Sequence, residues 1–491
     1  MPPEHRRRSR TARRIDPAGA AYVSPLVTRN ASAAMAELFS PRRRALEWRR
    51  VWLALAESQH ELKLGVSSAA VTALRRGLER IDLAAAAAHE RRVKHDLVAH
   101  LLAYADVAPA ARRVLHLGAT SMDVVDNADA VILREALRLV RAWLVNVVFA
   151  LAEQADLHRD LPCLGYTHFQ PAQVTTLGKR ISLWAWDFVR DLDDLERLLS
   201  QLRLRGLRGA TGTQASFLEL CGGRAAMVER LEARFAGKLG FSACEPVTGQ
   251  TYSRKVDARV IAGLAGIAAS VHKLANDIRL LANLREVEEP FEESQVGSSA
   301  MAYKRNPMLS ERATGLARFV ISMAQSAFQT AAEQWLERTL DDSSAKRLIV
   351  PESFLAVDGM LQIALRVARG LVVYPQVIRA RLEAELPFMA TERILLDAVR
   401  SGRDRQELHE RIRRHSQTAA RRVKQLGLPN DLLDRLRADP AFDGLKLDRA
   451  LDPDAFIGLA PKQVERFLRD VAAPLRRRCA DVPRMEPEIR V

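Results

Sequence analysis

The chain has 491 residues, 48% of them hydrophobic and 27% charged, with a formal charge of +15. That length supports two or three domains around a large buried core, and the balance is that of a globular protein rather than a disordered one. No run of about 18 uninterrupted apolar residues occurs, which argues against a membrane partner; the best stretch, Leu139 to Leu151, is broken by Arg141 and Asn146 and is expected in a core. Cys163, Cys221, Cys244 and Cys479 stand far apart without a CxxC pair, so neither a metal site nor a disulfide framework is expected and a reducing, cytoplasmic compartment fits. A basic balance can signal nucleic acid. Here Arg and Glu are interleaved along helices and stacking aromatics are scarce, so nucleic acid is not the expected partner. A positive field also attracts small polyanions.

Residues 1–14 carry Arg6, Arg7, Arg8, Arg10, Arg13 and Arg14 against Glu4 alone, and the N-terminus lacks an apolar signal core; a disordered basic tail over residues 1–20 is expected. Tyr22 to Ser40, holding Arg29-Asn30-Ala31-Ser32, reads as loop. Ser40-Pro41 then caps a helix whose Trp48, Val51, Trp52 and Leu55 form an apolar stripe. Ile81 to Ala108 reads as one alanine-rich helix containing Lys94-His95-Asp96 and His100. The turn from His116 to Asp123 places Thr120 and Ser121 where their hydroxyls can cap the next helix. From Ala119 to Leu161 there is no glycine or proline, and Leu133, Leu137, Val140, Leu144, Val147 and Leu151 recur every three or four residues. That is a long bundle helix.

Next, Cys163-Leu-Gly-Tyr-Thr-His-Phe-Gln-Pro171 surrounds His168 with Thr167 and Gln170. This is unlike the setting of a core histidine and suits proton transfer near neutral pH. Ala172 to Arg205 and Val256 to Glu289 read as helices, the latter ended by acids and Pro290. The polar loops Gly206–Phe217 and Thr248–Lys255 lie between them. Gly297-Ser-Ser-Ala-Met-Ala-Tyr-Lys-Arg-Asn-Pro307 precedes another helix, Met308 to Phe328. After Tyr374-Pro375 the segments are shorter. The expectation is an all-α chain divided at 21–119, 120–374 (with a loop at 290–307) and 375–491. Its polar loops gather hydroxyls, His, Lys, Arg and amides, an inventory for proton transfer beside carboxylates or phosphates. Ser298 could serve as a base only in a positive field such as Lys304 and backbone N–H groups provide.

The Gly297 to Met308 stretch resembles the GSSxMPxKxNP signature of the fumarase/aspartase superfamily. Thr167-His-Phe-Gln-Pro-Ala-Gln173, Thr248-Gly-Gln-Thr-Tyr-Ser-Arg-Lys255 and Glu337-Arg-Thr-Leu-Asp-Asp342 resemble its adenylosuccinate lyase family, the animal-type branch especially. The resemblance runs from about Ser24 to the C-terminal segment. It implies a three-domain fold whose long central helices form a bundle shared in a homotetramer, with each site built from three subunits. It implies β-elimination of fumarate from two small-molecule substrates, adenylosuccinate and the succinylated aminoimidazole carboxamide ribotide SAICAR, without a cofactor. By the same resemblance Ser298 is the general base and His168 the general acid. Glu311 supports that histidine, Lys304 stabilises the succinyl carboxylates, and His95 joins the catalytic set. Substrate-binding positions fall on Arg29, Asn30, Lys94, Asp96, Thr120 and Ser121, and further along on Thr167, Gln250, Asn306, Arg312, Arg338, Ser343 and Arg347.

Three positions depart from the family pattern. Ala302 replaces the signature proline, which widens the conformational freedom of the loop. Asn30 stands where a tyrosine is usual. Lys94 replaces an arginine and gives up its two-pronged geometry. Two other readings compete: a different fumarate-releasing lyase of the superfamily, of the argininosuccinate lyase or aspartase type, and a non-catalytic scaffold using the basic tail. The Tyr-Ser-Arg-Lys and Glu-Arg-Thr-Leu-Asp-Asp segments weigh against the first. The retained Ser298, His168 and Lys304 weigh against the second.

Overall fold

The computed structural model describes residues 22–292, 300–301, 303–445, 447 and 451–490. The chain is mainly helical. The first helices are α1 (Ala33–Leu38), α2 (Pro41–Glu61), α3 (Ser68–Gly77), α4 (Leu83–Val93) and α5 (Asp96–Val107). They lead into α6 (Ser121–Leu157), whose 37 residues make it the longest element described. With a rise of 1.5 Å per residue, α6 spans about 55 Å. A hairpin of β1 (Pro162–Thr167) and β2 (Gln170–Thr176) follows, then α7 (Leu177–Gln201), α8 (Ala215–Leu220), α9 (Ala225–Lys238) and α10 (Lys255–Asn283). The two-residue strand β3 (Val287–Glu288) pairs with β4 (Val372–Val373) across α11 (Met308–Ala332) and α12 (Asp342–Arg369). The remaining helices are α13 (Pro375–Met389), α14 (Thr391–Arg400), α15 (Arg405–Leu426), α16 (Leu432–Arg437), α17 (Ala460–Phe467) and α18 (Ala473–Arg478).

The apolar stripe of α6 is buried almost without interruption. Its Leu137, Val140, Leu144, Val147 and Leu151 pack with α7, α10, α11 and α12 in one continuous core. Helices α10 and α12 have stretches of mean hydropathy 1.3 and 1.5, long and apolar enough by composition to cross a membrane. Their interrupted apolar runs are bundle core instead: Ile261, Leu264 and Ile278 of α10, and Phe354, Met360 and Leu361 of α12, are fully buried. The first turns of α6 serve a second core, in which Val124 and Ala128 meet Trp52, Tyr104, Phe217 and Phe235.

Several boundaries differ from the sequence reading, each for a local reason. Tyr22 to Ser40 is not loop: a π-helical turn spans Leu26–Asn30, and Ser32 caps α1 by accepting from Met35 N–H. Ile81 to Ala108 is two helices, because Lys94 adopts φ +56° and ends α4 before His95 caps α5. The helix expected from Ala172 starts only at Leu177, since Gln170–Thr176 pairs back onto Pro162–Thr167. The one expected to end at Glu289 stops at Asn283, and residues 286–289 become extended.

His116 sits at φ +72° just ahead of α6, and its Nδ1 accepts from Trp52 Nε1 at 2.9 Å. Burial, more than the neighbouring His95, pushes its pKa below 6.5. A histidine with a lowered folded-state pKa takes up its proton on unfolding, so its share of stability is present above 6.5 and is lost as pH falls below that value. Urea unfolding midpoints are therefore expected to drop between pH 7 and pH 5.5. His116→Asn, which tolerates the same backbone region, is expected to flatten that dependence while lowering stability at pH 7 by about 1 kcal/mol through the lost Trp52 bond.

Candidate active site

A cleft of about 740 Å³ opens where the N-terminus of α6, the α4–α5 junction, α2 and the start of α12 meet. It gathers eight of the expected residues: His95, Asp96, Thr120, Ser121, Gln250, Arg338, Ser343 and Arg347. The α4–α5 break turns His95 toward Ser121, whose Oγ lies 3.5 Å from His95 Nε2. Asp96 accepts from Arg347 Nη2 at 2.9 Å and from Leu97 N–H at 2.7 Å. Burial works against its ionisation, but the hydrogen bond from Arg347, the Leu97 N–H and the charge on Arg347 hold Asp96 below the ordinary carboxylate range. Gln250 Oε1 accepts from Arg338 Nη1 at 3.0 Å, and Gln250 N–H donates to Glu337 O at 2.9 Å. This seating requires Gly249, since a Cβ there would lie 2.5 Å from the Glu337 carbonyl. Thr120 is not merely a hydroxyl cap: its N–H donates to Asp123 Oδ2 at 2.8 Å, and the buried Asp123 also binds Arg205 and the N–H groups of Arg208 and Gly209.

Beneath the cleft lies a buried ionic network that the sequence reading did not single out. Arg254 bonds Asp342 at 2.7 Å and Asp126 at 3.1 Å, while Lys346 reaches Asp129 at 2.8 Å and the Tyr252 hydroxyl at 2.7 Å. Tyr252 in turn donates to Asp257 at 2.7 Å. Burial alone would favour loss of the proton from Arg254 and Lys346, yet the surrounding aspartates hold both firmly charged. The network fixes the first turns of α12, and with them Ser343 and Arg347. The spacing of Arg338, Asp342 and Lys346, four residues apart, was the available signal.

Other expected residues lie elsewhere. Arg29, Asn30 and Arg312 form a second group beside α12 and the N-terminus of α11. Arg312 Nε donates to Asn30 Oδ1 at 2.8 Å, and its Nη2 donates to the Arg29 carbonyl. The exposed Arg29 guanidinium has no hydrogen bond or ion pair among the described residues, and no carboxylate pairs with Arg312. Burial, then the charge on Arg29, lowers the pKa of Arg312. Among the described residues these two neighbouring guanidinium groups have no counter-carboxylate, a setting that suits an anion. The Asn30 departure has an evident role here, since its side chain orients Arg312 while its Nδ2 donates to Pro25 O at 2.8 Å.

His168 and Thr167 occupy the exposed tip of the β1–β2 hairpin. His168 and Phe169 both have positive φ, +52° and +55°, between the paired Thr167 and Gln170. This is a type I′ turn built without glycine or asparagine, a strained choice of the kind that marks functional positions. Tyr166 anchors the tip by donating to buried Glu286 at 3.1 Å, where Arg381 also binds. The same acidic run secures the entrance to α11: Glu289 accepts from the N–H groups of Leu309 and Ser310, both at 2.8 Å. Lys304, Asn306 and Glu311 flank that entrance. No hydrogen bond or ion pair joins His168 to Glu311 among the described residues. Lys94 is exposed at the end of α4 and does not line the cleft. Ser298 and Ala302 lie outside the described residues.

Helix α6 sets the distance between these groups. Ser121 begins it at the cleft. Trp143, about 33 Å further along by helical rise, donates to Asp358, which binds Ser32 in the Arg29 segment. The hairpin starts beyond Leu157, about 54 Å from Ser121 by helical rise, and His168 is not among the residues that line the cleft.

A family described as lyase matches residues 67–322, and one described as adenylosuccinate lyase C-terminus matches residues 387–467. The adenylosuccinate lyase of Saccharomyces cerevisiae is 50% identical over 91% of this chain and 94% of its own length. The chain belongs to the adenylosuccinate lyase family. The Schistosoma mansoni member is 45% identical, over 92% of this chain and 95% of its own. Among solved structures, the 3-carboxy-cis,cis-muconate lactonizing enzyme of Pseudomonas putida superposes with a TM-score of 0.78 at 27% identity, covering 92% of this chain and 98% of that one. The fold is thus that of the fumarase/aspartase superfamily, all-α as expected.

The ionic network supplies a stability test. Arg254→Met leaves Asp126 and Asp342 buried without their partner and is expected to cost about 3–5 kcal/mol in urea unfolding. Asp129→Asn, at the partly exposed edge, is expected to cost less than about 1 kcal/mol.

Proposed function

We propose that the chain cleaves adenylosuccinate to AMP and fumarate, and SAICAR to its carboxamide product and fumarate, in purine nucleotide synthesis. Ser298 removes a proton from the succinyl CH2, the carbon one bond beyond the one that carries the leaving nitrogen. The electron pair is held first on the adjacent carboxylate and then forms the C=C bond of fumarate as the C–N bond breaks. His168 delivers a proton to the departing nitrogen, so charge and atoms balance. Lys304 and Asn306 stabilise the carboxylate that carries the developing dianion, where an oriented positive charge acts most strongly. Glu311 supports His168 from another subunit. His95, Thr120, Ser121 and Gln250 orient substrate in the cleft, Arg338, Ser343 and Arg347 bind its anionic groups there, and Arg29 with Arg312 supplies a further anion contact.

The observation that carries this reading is the separation of the candidate acid from the cleft along α6. His168 follows the far end of α6 while the cleft lies at its start, which supports a site assembled from several subunits. A homotetramer is the assembly proposed. Its support is the row of exposed apolar side chains on the adjacent helices α7, α10 and α11: Leu183, Trp186, Leu280, Ile321 and Phe328, each more than 40% exposed. Large apolar side chains left exposed on neighbouring helices suit an association face. The four free cysteines, three of them buried, fit a reducing cytoplasmic setting.

Following fumarate release from adenylosuccinate, SAICAR and argininosuccinate tests the reaction. Turnover of the first two is expected, and activity on argininosuccinate alone would overturn the assignment. His168→Ala is expected to lower kcat by about 10²–10⁴-fold while the sedimentation coefficient stays that of the wild type.

A further inference from the structure

The segment Cys479–Arg490 follows the last helix and belongs to none of the groups described so far. It crosses the bundle as an extended strap. Asn146 of α6 donates to the Pro483 carbonyl at 3.1 Å and accepts from Met485 N–H at 3.0 Å. Arg369 and Gln362 of α12 continue the attachment, at the Met485 carbonyl (2.9 Å) and the Glu488 N–H (3.0 Å). Val482, Met485 and Ile489 rest on the bundle core. The strap therefore holds its course without a partner strand, through side chains of two rigid helices.

Arg490 brings the strap to the Arg29–Arg312 pair. Its carbonyl accepts from Arg312 Nη1 at 2.8 Å, and its own Nη1 lies 3.4 Å from the carbonyls of both Val27 and Thr28. Those carbonyls belong to the turn Leu26–Asn30, which ends at once and leaves them without a helical successor. Arg490 thus caps the turn that presents Arg29 while also orienting Arg312. Among the described residues, the acceptors around Arg312 are Asn30 Oδ1, Arg29 O and Arg490 O, all neutral. Neutral acceptors fix a guanidinium without cancelling its charge, whereas a carboxylate would occupy the site meant for ligand.

We propose that the 479–490 strap is a positioning element for the Arg29–Arg312 anion site, with Arg490 the residue that orients both arginines toward a phosphate or carboxylate. The inference rests on the proposed function for the identity of the ligand, but the anion site can be probed without turnover.

The test uses the full-length protein, the same chain lacking residues 486–491, Arg490→Ala and Arg490→Lys. KM for adenylosuccinate is measured by fumarate release, and binding of inorganic phosphate and AMP by calorimetry. Losing the charged hydrogen bonds predicts that truncation raises KM and the AMP and phosphate Kd by about tenfold. The value of kcat and the melting temperature are expected to change little. Arg490→Ala is expected to give a smaller rise in the same constants, and Arg490→Lys to recover most of it. Unchanged binding after truncation would overturn the proposal. So would a joint loss of kcat, affinity and melting temperature that Arg490→Lys does not relieve. A wild-type chain that binds phosphate but releases no fumarate would count against the proposed reaction alone, leaving the strap to be judged on phosphate affinity.

Discussion

The constraint on which the rest of this structure depends is the straight, unbroken run of α6. A 37-residue helix with no glycine or proline cannot fold back, so whatever its two ends carry is held apart by its length. At one end Thr120 and Ser121 open the cleft. Part-way along, Trp143 and Asn146 secure the Arg29 segment and the strap. At the far end stands the hairpin with His168. The core stripe that stabilises this helix also sets the hairpin and the cleft at its opposite ends. The proposed assembly of several subunits would bring an exposed, strained histidine tip to a cleft of another chain.

Charge is handled in two different ways along that frame. Arg254 and Lys346, which are structural, are buried and surrounded by Asp126, Asp129, Asp257 and Asp342. Burying such charges is tolerable only with close, hydrogen-bonded counter-ions. Arg312 is instead held by carbonyl and amide oxygens, and Arg29 by its backbone. The arginines left with their charge uncancelled among the described residues are the ones for which an anion is proposed. Between these extremes, Arg347 shares Asp96, an exposed pair that an incoming anion can compete for.

Much of the fold was legible because long helices declare themselves through periodicity and the absence of breakers, as α6 did. The hairpin was not, since its turn uses His168-Phe169 rather than the Asn-Gly type of signal. Nor was the break before His95, where a lysine rather than a glycine takes the left-handed conformation. The strap is held by side chains 116 or more residues away in sequence, so no local pattern could reveal it. At the site, residue chemistry alone reached proton transfer beside an anion. The resemblance supplied the particular positions, and eight of these converge on the cleft. Asn30 looked like the loss of a contact, yet in place it orients Arg312. Lys346 and Arg254 escaped notice because a buried cation leaves no mark in sequence beyond its spacing from aspartates.

The central claim is that the acid and the cleft of one active site come from different chains. Mixing His168→Ala with His95→Ala under conditions that exchange subunits, with exchange verified by native mass spectrometry, tests it most directly. Hybrid assemblies can contain sites with both residues intact, so fumarate release is predicted to reappear although each variant alone is inactive. Verified hybrids that remain inactive would contradict the account.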